Sequence, residues 1–360
     1  MKETRLGMRV LLSDFIIVEA HKPMIIDYID IFSKISELSI ISVNGYYENE
    51  RKRFEELGIK ILDIKCKKKI GKINQRIFSY QLMKLTGKII ESGCYDINIC
   101  LGYETISFAF GRRFIKQIPI SIFHHKNIDE LTSIYKRILF NIYKNKVFHF
   151  VYEQFFGEHL SQDLNVKKQR IFTIPHPVKR IDTNKDEKIV FDCVGLCNSN
   201  SEIFIKQCLD NEKLFAEKNY TIVLRSKEKA IKVNNISIIK GFMEYEKYCK
   251  YLDRAKTVLI PLPDNYIYRL SGSIYDALAR KKIVLTNSRF YVEAYGKRYP
   301  GLCYYVESIK DLLSFLDNLN DAKDKSNIFE DFINEHSKDK IGNTIIMAIK
   351  TIYNKEKGNI

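Results

Sequence analysis

Short apolar runs alternate with amphipathic helical stretches along this chain, and no other feature constrains its fold as tightly. Met8 to Ser13, Ser39 to Val43, Ile59 to Ile64, Asp96 to Leu101, Ile120 to Phe123 and Val147 to Val151 read as buried strands. Helical patterns separate them. Ile25, Ile26, Ile29, Phe32 and Ile35 make one apolar face, and Glu48 to Leu57, Ile77 to Ser92, Ile106 to Ile115, Glu130 to Tyr143 and Phe155 to Leu164 follow. Strands that are apolar on both faces and divided by helices predict a parallel sheet covered on each side. A second series opens at Ile189 to Gly195 and runs through Thr221 to Leu224, Ile236 to Ile239, a helix at Glu244 to Leu252, and strands at Thr257 to Pro263, Ile283 to Leu285 and Tyr304 to Val306. Helices at Ile309 to Leu319 and within Phe329 to Tyr353 close it. The polar, charged stretch Lys179 to Lys188 reads as the linker between two domains, and 360 residues suffice for two cores. The expected class is α/β, with two doubly wound parallel-sheet domains.

Composition narrows the partners. With 45% hydrophobic and 29% charged residues the chain is of ordinary globular make-up. It has no run of eighteen apolar residues, and Arg9 and Asp14 interrupt Met8 to Val18, which lacks a small-residue cleavage site; a cytoplasmic protein is expected. Eight cysteines without a C-x-x-C pair fit a reducing compartment, and Cys193 with Cys197 makes no metal set without a second pair. No Asp-x-Asp ends a strand, so no metal cofactor is expected. The formal charge of +15 asks for an acidic partner: nucleic acid, an anionic membrane surface or a diphosphate substrate. No helix-turn-helix, zinc finger or aromatic RNA-binding pattern is present, which argues against nucleic acid. Arg51-Lys52-Arg53, Lys65 to Lys69 with Lys72, and Arg112-Arg113 with Lys116 all fall in the first half. They are either solvated faces or a peripheral membrane contact.

The most informative stretch runs from Val258 to Asn287. A strand stopped at Pro261 and Pro263 leads through an irregular loop to Ser271-Gly272-Ser273. Ile274, Ala277 and Leu278 then form one helix face, and Ile283 to Leu285 is a strand ending in Thr286-Asn287-Ser288. The two serines are expected to cap the helix and Gly272 to permit close backbone approach. Such a loop lies at the carboxyl ends of parallel strands, where the helix N-terminus favours an anionic group.

This run resembles the donor-binding segment of GT-B nucleotide-sugar glycosyltransferases, the retaining families in particular. There a strand ending in Pro leads to a Ser-Gly or Gly-Leu-Pro loop, Glu-Ala-Leu-Ala and another strand. Asp276 takes the place of the ribose-binding Glu. Tyr268 stands where many retaining members have a second acid, Lys281 and Ile283 stand where Gly and Pro are usual, and Arg269 fills the place of an Arg two residues before the Ser-Gly. A second likeness is Ile171-Phe172-Thr173-Ile174-Pro175-His176-Pro177-Val178, similar to the strand that closes the first domain of the family, with His176-Pro177 in place of Asn-Gly.

The resemblance implies a GT-B fold of two Rossmann-like domains facing a cleft: an acceptor domain over 1–178, a linker over 179–188, a donor domain over 189–327, and helices over 328–360 that cross back to the first domain. It implies sugar transfer from a nucleotide-sugar donor to a glycan or lipid-linked saccharide, in cell-surface or capsular polysaccharide synthesis, with retention and leaving-group assistance rather than a protein nucleophile. The family's pyrophosphate-binding Arg and Lys are absent from Leu196 to Ser201, so Arg225, Lys227 and Arg269 are the candidate cations. His125 corresponds to a first-domain histidine of the family, with His124 one position away as the other candidate and His21 and His176 as weaker ones. The implied catalytic set is His125, Arg269 and Arg225. The implied donor-binding set is Asp276, Ser271, Gly272, Ser273, Gly241, Phe242, Lys227 and Gly195. Two alternatives stand beside it, a GT-B sugar-nucleotide epimerase and an inactive homologue acting as a binding subunit.

Overall fold

The structure, a computed structural model, describes residues 6–67, 71–181, 188–197, 201–241, 243–319 and 325–357. The chain divides into two compact units. Unit 1 comprises Met1–Pro177, Tyr268–Leu270 and Lys338–Ile360, and unit 2 comprises Val178–Ile267 and Ser271–Ser337.

Unit 1 is built on strands β1 (Arg9–Asp14), β2 (Glu37–Val43), β3 (Lys60–Ile64), β4 (Ile97–Gly102), β5 (Ile120–Phe123), β6 (Phe148–Val151) and β7 (Ile171–Thr173). They form one seven-stranded sheet in the order β3-β2-β1-β4-β5-β6-β7. Every pairing in it is parallel. The order reverses between β1 and β4, the switch point of this sheet. Close backbone approach there demands glycine: a Cβ on Gly102 would lie 2.4 Å from Asp14 Oδ1. That carboxylate accepts from the N–H groups of Ile16 and Ile17 and shapes the loop after β1, in which Ile17 sits at φ 45. The helix Lys338–Lys357 buries Ile341, Ile345, Ile349 and Ile352 in this core, and Lys338 Nζ bridges Asp27 at 2.6 Å and Asp30 at 2.8 Å. The helix expected over Glu130 to Tyr143 is instead a 3₁₀ turn, Asp129–Thr132, and a helix Ile134–Tyr143. Ser133 between them is extended at ψ 120.

Unit 2 carries β8 (Phe191–Gly195), β9 (Ile222–Ser226), β10 (Ile231–Val233), β11 (Ile236–Lys240), β12 (Ala255–Leu259), β13 (Ile283–Thr286) and β14 (Cys303–Tyr305). Their order is β10-β11-β9-β8-β12-β13-β14, parallel except for the edge hairpin β10–β11. The switch point lies between β8 and β12. β12 ends two residues before Pro261, earlier than the apolar run suggests, because prolines 261 and 263 have no N–H to give the ladder. The hairpin strand β10 and the helices Glu202–Asp210, Glu212–Glu217 and Arg289–Arg298 carry no strong apolar period. In the last of these only Tyr291 and Tyr295 are buried.

Candidate functional site

In an open parallel sheet, ligands bind outside the carboxyl ends of the strands at the switch point. For unit 2 this is the edge where β8 exits at Gly195 and β12 exits at Ile260. A Cβ on Gly195 would meet Leu224 Cδ2 at 2.8 Å and Leu259 Cβ at 3.4 Å, so the strand end packs tightly against both neighbours. Beyond it, burial pushes the Cys197 thiol up, and the groups close enough to act on it electrostatically include Ser273, Arg225 and Asp276. The β8 exit, the end of β9 and the helix Gly272–Ala279 therefore converge around Cys197. Arg225 also reaches Leu196 O at 3.5 Å.

The helix Gly272–Ala279 opens on this edge. Its first turn closes through Ile274 N–H, which donates to Ser271 O at 3.0 Å. Ser271 is buried and its hydroxyl does not cap the helix, contrary to the sequence expectation, because this tight turn uses the carbonyl instead. Gly272 is exposed, and a Cβ placed on it meets nothing within 4 Å, so space lies open in front of the first turn. One turn on, half-buried Asp276 accepts a hydrogen bond from Tyr245 Oη at 3.2 Å. Burial raises its pKa, against the lowering effects of Arg280 and Tyr245. Buried Arg280 is bridged to Asp253 at 3.0 Å.

The loop leading into the helix is pinned from the next strand. Asn287, just past β13, accepts from Leu262 N–H at 2.7 Å and donates to Leu262 O at 3.0 Å. On the far side of β9, Gly241 adopts φ +85, which favours glycine, and its N–H donates to Ser226 O at 3.3 Å. Lys227 is exposed, with its N–H donating to Glu202 at 3.1 Å. Phe242 lies outside the described residues.

Arg269 belongs to unit 1, where its Nε is 3.2 Å from Asp129 Oδ2, while the other oxygen of that carboxylate accepts from Tyr268 N–H at 2.7 Å. The Tyr268 ring stacks on His159 at 3.8 Å. The residue standing in place of the family's second acid is thus an aromatic anchor within unit 1.

The two candidate histidines separate cleanly. His124 is wholly buried in a chain that ends on the backbone: Tyr103 Oη donates to His124 Nδ1 (3.0 Å), His124 Nε2 to His149 Nδ1 (2.8 Å), and His149 Nε2 to Lys144 O (2.6 Å). Each role follows from the terminal carbonyl, which can only accept. His125 lies at the carboxyl end of β5. Its Nε2–H donates to Leu101 O at 2.5 Å, which fixes the tautomer and leaves Nδ1 to accept from Tyr152 Oη at 3.1 Å. Burial, then the neighbouring His21, push its pKa down to about 3. His21 stacks on His125 at 4.9 Å, and Tyr152 lies 5.9 Å from the His176 ring. His21, His125, Tyr152 and His176, from separate parts of the chain, therefore form a run of successive ring contacts. Sequence spacing gave no sign of this, nor of the parts played by Cys197, Tyr245 and Asn287. Among the described residues no group of His, Cys, Asp and Glu is arranged to hold a metal ion.

No protein-family model matches the chain, and no curated protein matches it. Solved structures do. A glycosyltransferase from Rickettsia africae is 13% identical with a TM-score of 0.63, over 96% of this chain and 98% of that one. HepE of Anabaena, in complex with UDP and glucose, is 12% identical with a TM-score of 0.61, over 96% of this chain and 100% of that one. The UDP-GlcNAc 2-epimerase of Methanocaldococcus jannaschii is 14% identical with a TM-score of 0.60, over 94% and 99%. The match runs end to end in every case, and together with the two seven-stranded sheets it defines the fold: the chain has the GT-B fold of two Rossmann-like units.

Proposed function

We propose that this protein is a glycosyltransferase that moves a sugar from a nucleotide-sugar donor onto a glycan or lipid-linked saccharide, at an anionic membrane face, in the synthesis of a cell-surface polysaccharide. The observation that carries the reading is the open space before Gly272 at the β8/β12 switch point, with Asp276 one turn behind it. In this reading the donor diphosphate lies against the N–H groups of Gly272 and Ser273, where the helix dipole favours its charge. Ser271 sets the first turn, Gly195 and Gly241 let the strand exits come close, and Arg225 with Lys227 adds the positive charge that Leu196 to Ser201 do not supply. Asp276 accepts from the ribose hydroxyls. As the glycosidic bond breaks, negative charge builds on the departing diphosphate, and the same donors stabilise it more than they stabilise the ground state. Arg269 is proposed to act on that step.

His125 in its described form is a poor general base, since both ring nitrogens are engaged and its pKa is about 3. With His125 so engaged, the departing phosphate is the base this scheme calls for, in keeping with retention. UDP is the first probe, because similar structures hold it. Calorimetric titration with UDP, followed by UDP-sugar turnover with and without saccharide acceptors, tests the reading. Micromolar UDP binding and acceptor-dependent turnover are expected; binding with no turnover on any acceptor would favour a non-catalytic binding subunit.

A second reading has an observation of its own. The run of ring contacts through His21, His125, Tyr152 and His176 brings together the histidines that a sugar-nucleotide epimerase needs. Proton NMR of UDP-GlcNAc incubated with the protein alone distinguishes the two: appearance of an epimer without any acceptor would replace the transferase reading.

A further inference from the structure

We propose that the outer face of three neighbouring unit 1 helices, Lys72–Ser92, Thr105–Gly111 and Ile134–Tyr143, docks on an anionic membrane surface. This rests on the membrane-face part of the proposed function and assigns it to a surface. The helix Ile134–Tyr143 is turned inside out on one side. Phe140 and Tyr143 face the core, while Ile134 (77% exposed), Ile138 (60%) and Ile142 (45%), at spacings of four, form a stripe on the opposite side with Tyr135 (54%) beside it. Phe110, on the adjoining helix, is 53% exposed. Folding alone does not place this much apolar side chain in water on one helix.

Charge identifies the occupant. On the three helices Lys72, Lys84, Lys88 and Arg137 stand against a single carboxylate, Glu91, in the last turn of the first, while Arg76 and Lys136 are ion-paired to Glu104 at 3.5 Å and Glu130 at 2.7 Å. Against the helix Lys72–Ser92 lies a groove of about 550 Å³ whose lining, among the described residues, includes Lys65, Lys67, Lys84 and Lys88 and no acidic residue. Half-exposed Ile77 lines it as well. A second protein copy would bring the same cations against themselves, whereas lipid headgroups offer anionic phosphates to the groove and acyl chains to the stripe. The Arg51 to Arg53 cluster does not share this role: Arg51 is bonded to Glu48 and Asp63, and Arg53 to Asp30. No helix among the described residues is long and apolar enough to cross a membrane, so the contact would lie in the interface.

The test is co-sedimentation of the full chain with vesicles of phosphatidylcholine alone or with added phosphatidylglycerol, at low and high salt. Wild type should bind the anionic vesicles and lose binding as salt rises. Ile138→Asp with Ile142→Asp should weaken it about tenfold or more, and Lys84→Glu with Lys88→Glu should weaken it by a similar factor and flatten the salt dependence. Equal binding to neutral vesicles, or unchanged binding by both variants, overturns the proposal. So does a dimer in sedimentation velocity that the isoleucine variant abolishes while vesicles remain unbound, since a second copy would then cover the face. UDP titration of the same samples keeps the two readings apart: vesicle binding without UDP binding would sink the transferase reading alone, and UDP binding without vesicle binding would sink this one alone.

Discussion

Asp276→Asn should separate function from stability in opposite directions. In the free protein the carboxylate is half-buried, with a Tyr245 hydrogen bond of 3.2 Å and the positive charge of Arg280 acting on it. Its pKa is raised, so the folded state binds the proton more tightly than the unfolded chain does. A raised carboxylate pKa means that the stability contribution is fully present below the unfolded value, near 3.9, and is lost as pH rises through the folded value. At pH 7 the ionised group therefore costs the fold something, and the neutral, isosteric amide removes that cost. Melting temperature should stay level or rise. Nucleotide binding should move the other way: loss of a charge-assisted hydrogen bond to ribose, worth roughly 1.5–3 kcal/mol, weakens the UDP dissociation constant about ten- to hundredfold. Calorimetry and thermal melting on one preparation read both quantities. A variant that melts several degrees lower and binds UDP like the parent would make Asp276 a structural acid and refute the reasoning.

Arg269→Ala, which removes the ion pair with Asp129, should lower kcat more than donor affinity, as expected of charge stabilisation that grows toward the transition state; equal losses in both would make it a ground-state contact. The buried histidines predict acid sensitivity. His149 has a pKa lowered to about 4 and the His124 value lies well below the usual range, so stability is complete above pH 6.5 and falls as pH drops toward the folded values. For His149 alone the loss is about 2 kcal/mol at pH 5, and melting curves from pH 8 to pH 4.5 should show it. Flat melting temperatures across that range would contradict the buried neutral chain. Lys281 holds φ 57, where the resembling family has glycine, and bridges Glu330 at 2.6 Å with both side chains about one-third exposed. Relief of about 1 kcal/mol of left-handed strain against a surface pair worth about 0–1 kcal/mol predicts that Lys281→Gly is neutral to mildly stabilising in urea denaturation.

The sheets were legible because their strands are apolar on both faces and admit few other arrangements. The run from Val258 to Asn287 likewise yielded its strand, loop, helix and strand, since Pro261 and Gly272 mark the turns chemically. Other features depend on chain path rather than local pattern. Nothing near Arg269 in sequence announces Asp129, 140 positions away, and nothing near His125 announces His21 and His176. The choice between His124 and His125 turned on which side of β5 each faces, and a one-residue step along a strand end exchanges core for edge. Helices such as Arg289–Arg298 escaped notice because two tyrosines alone give too weak a period.

The central claim is that the β8/β12 edge of unit 2 is a nucleoside diphosphate site opening on the helix Gly272–Ala279. Backbone amide spectra of the isotopically labelled chain, titrated with UDP, test it most directly. The account predicts that the largest saturable shifts fall on Gly272 and Ser273, with smaller ones at Gly195, Gly241 and Asp276. Saturable shifts confined to unit 1, or no shift at millimolar UDP, would contradict it.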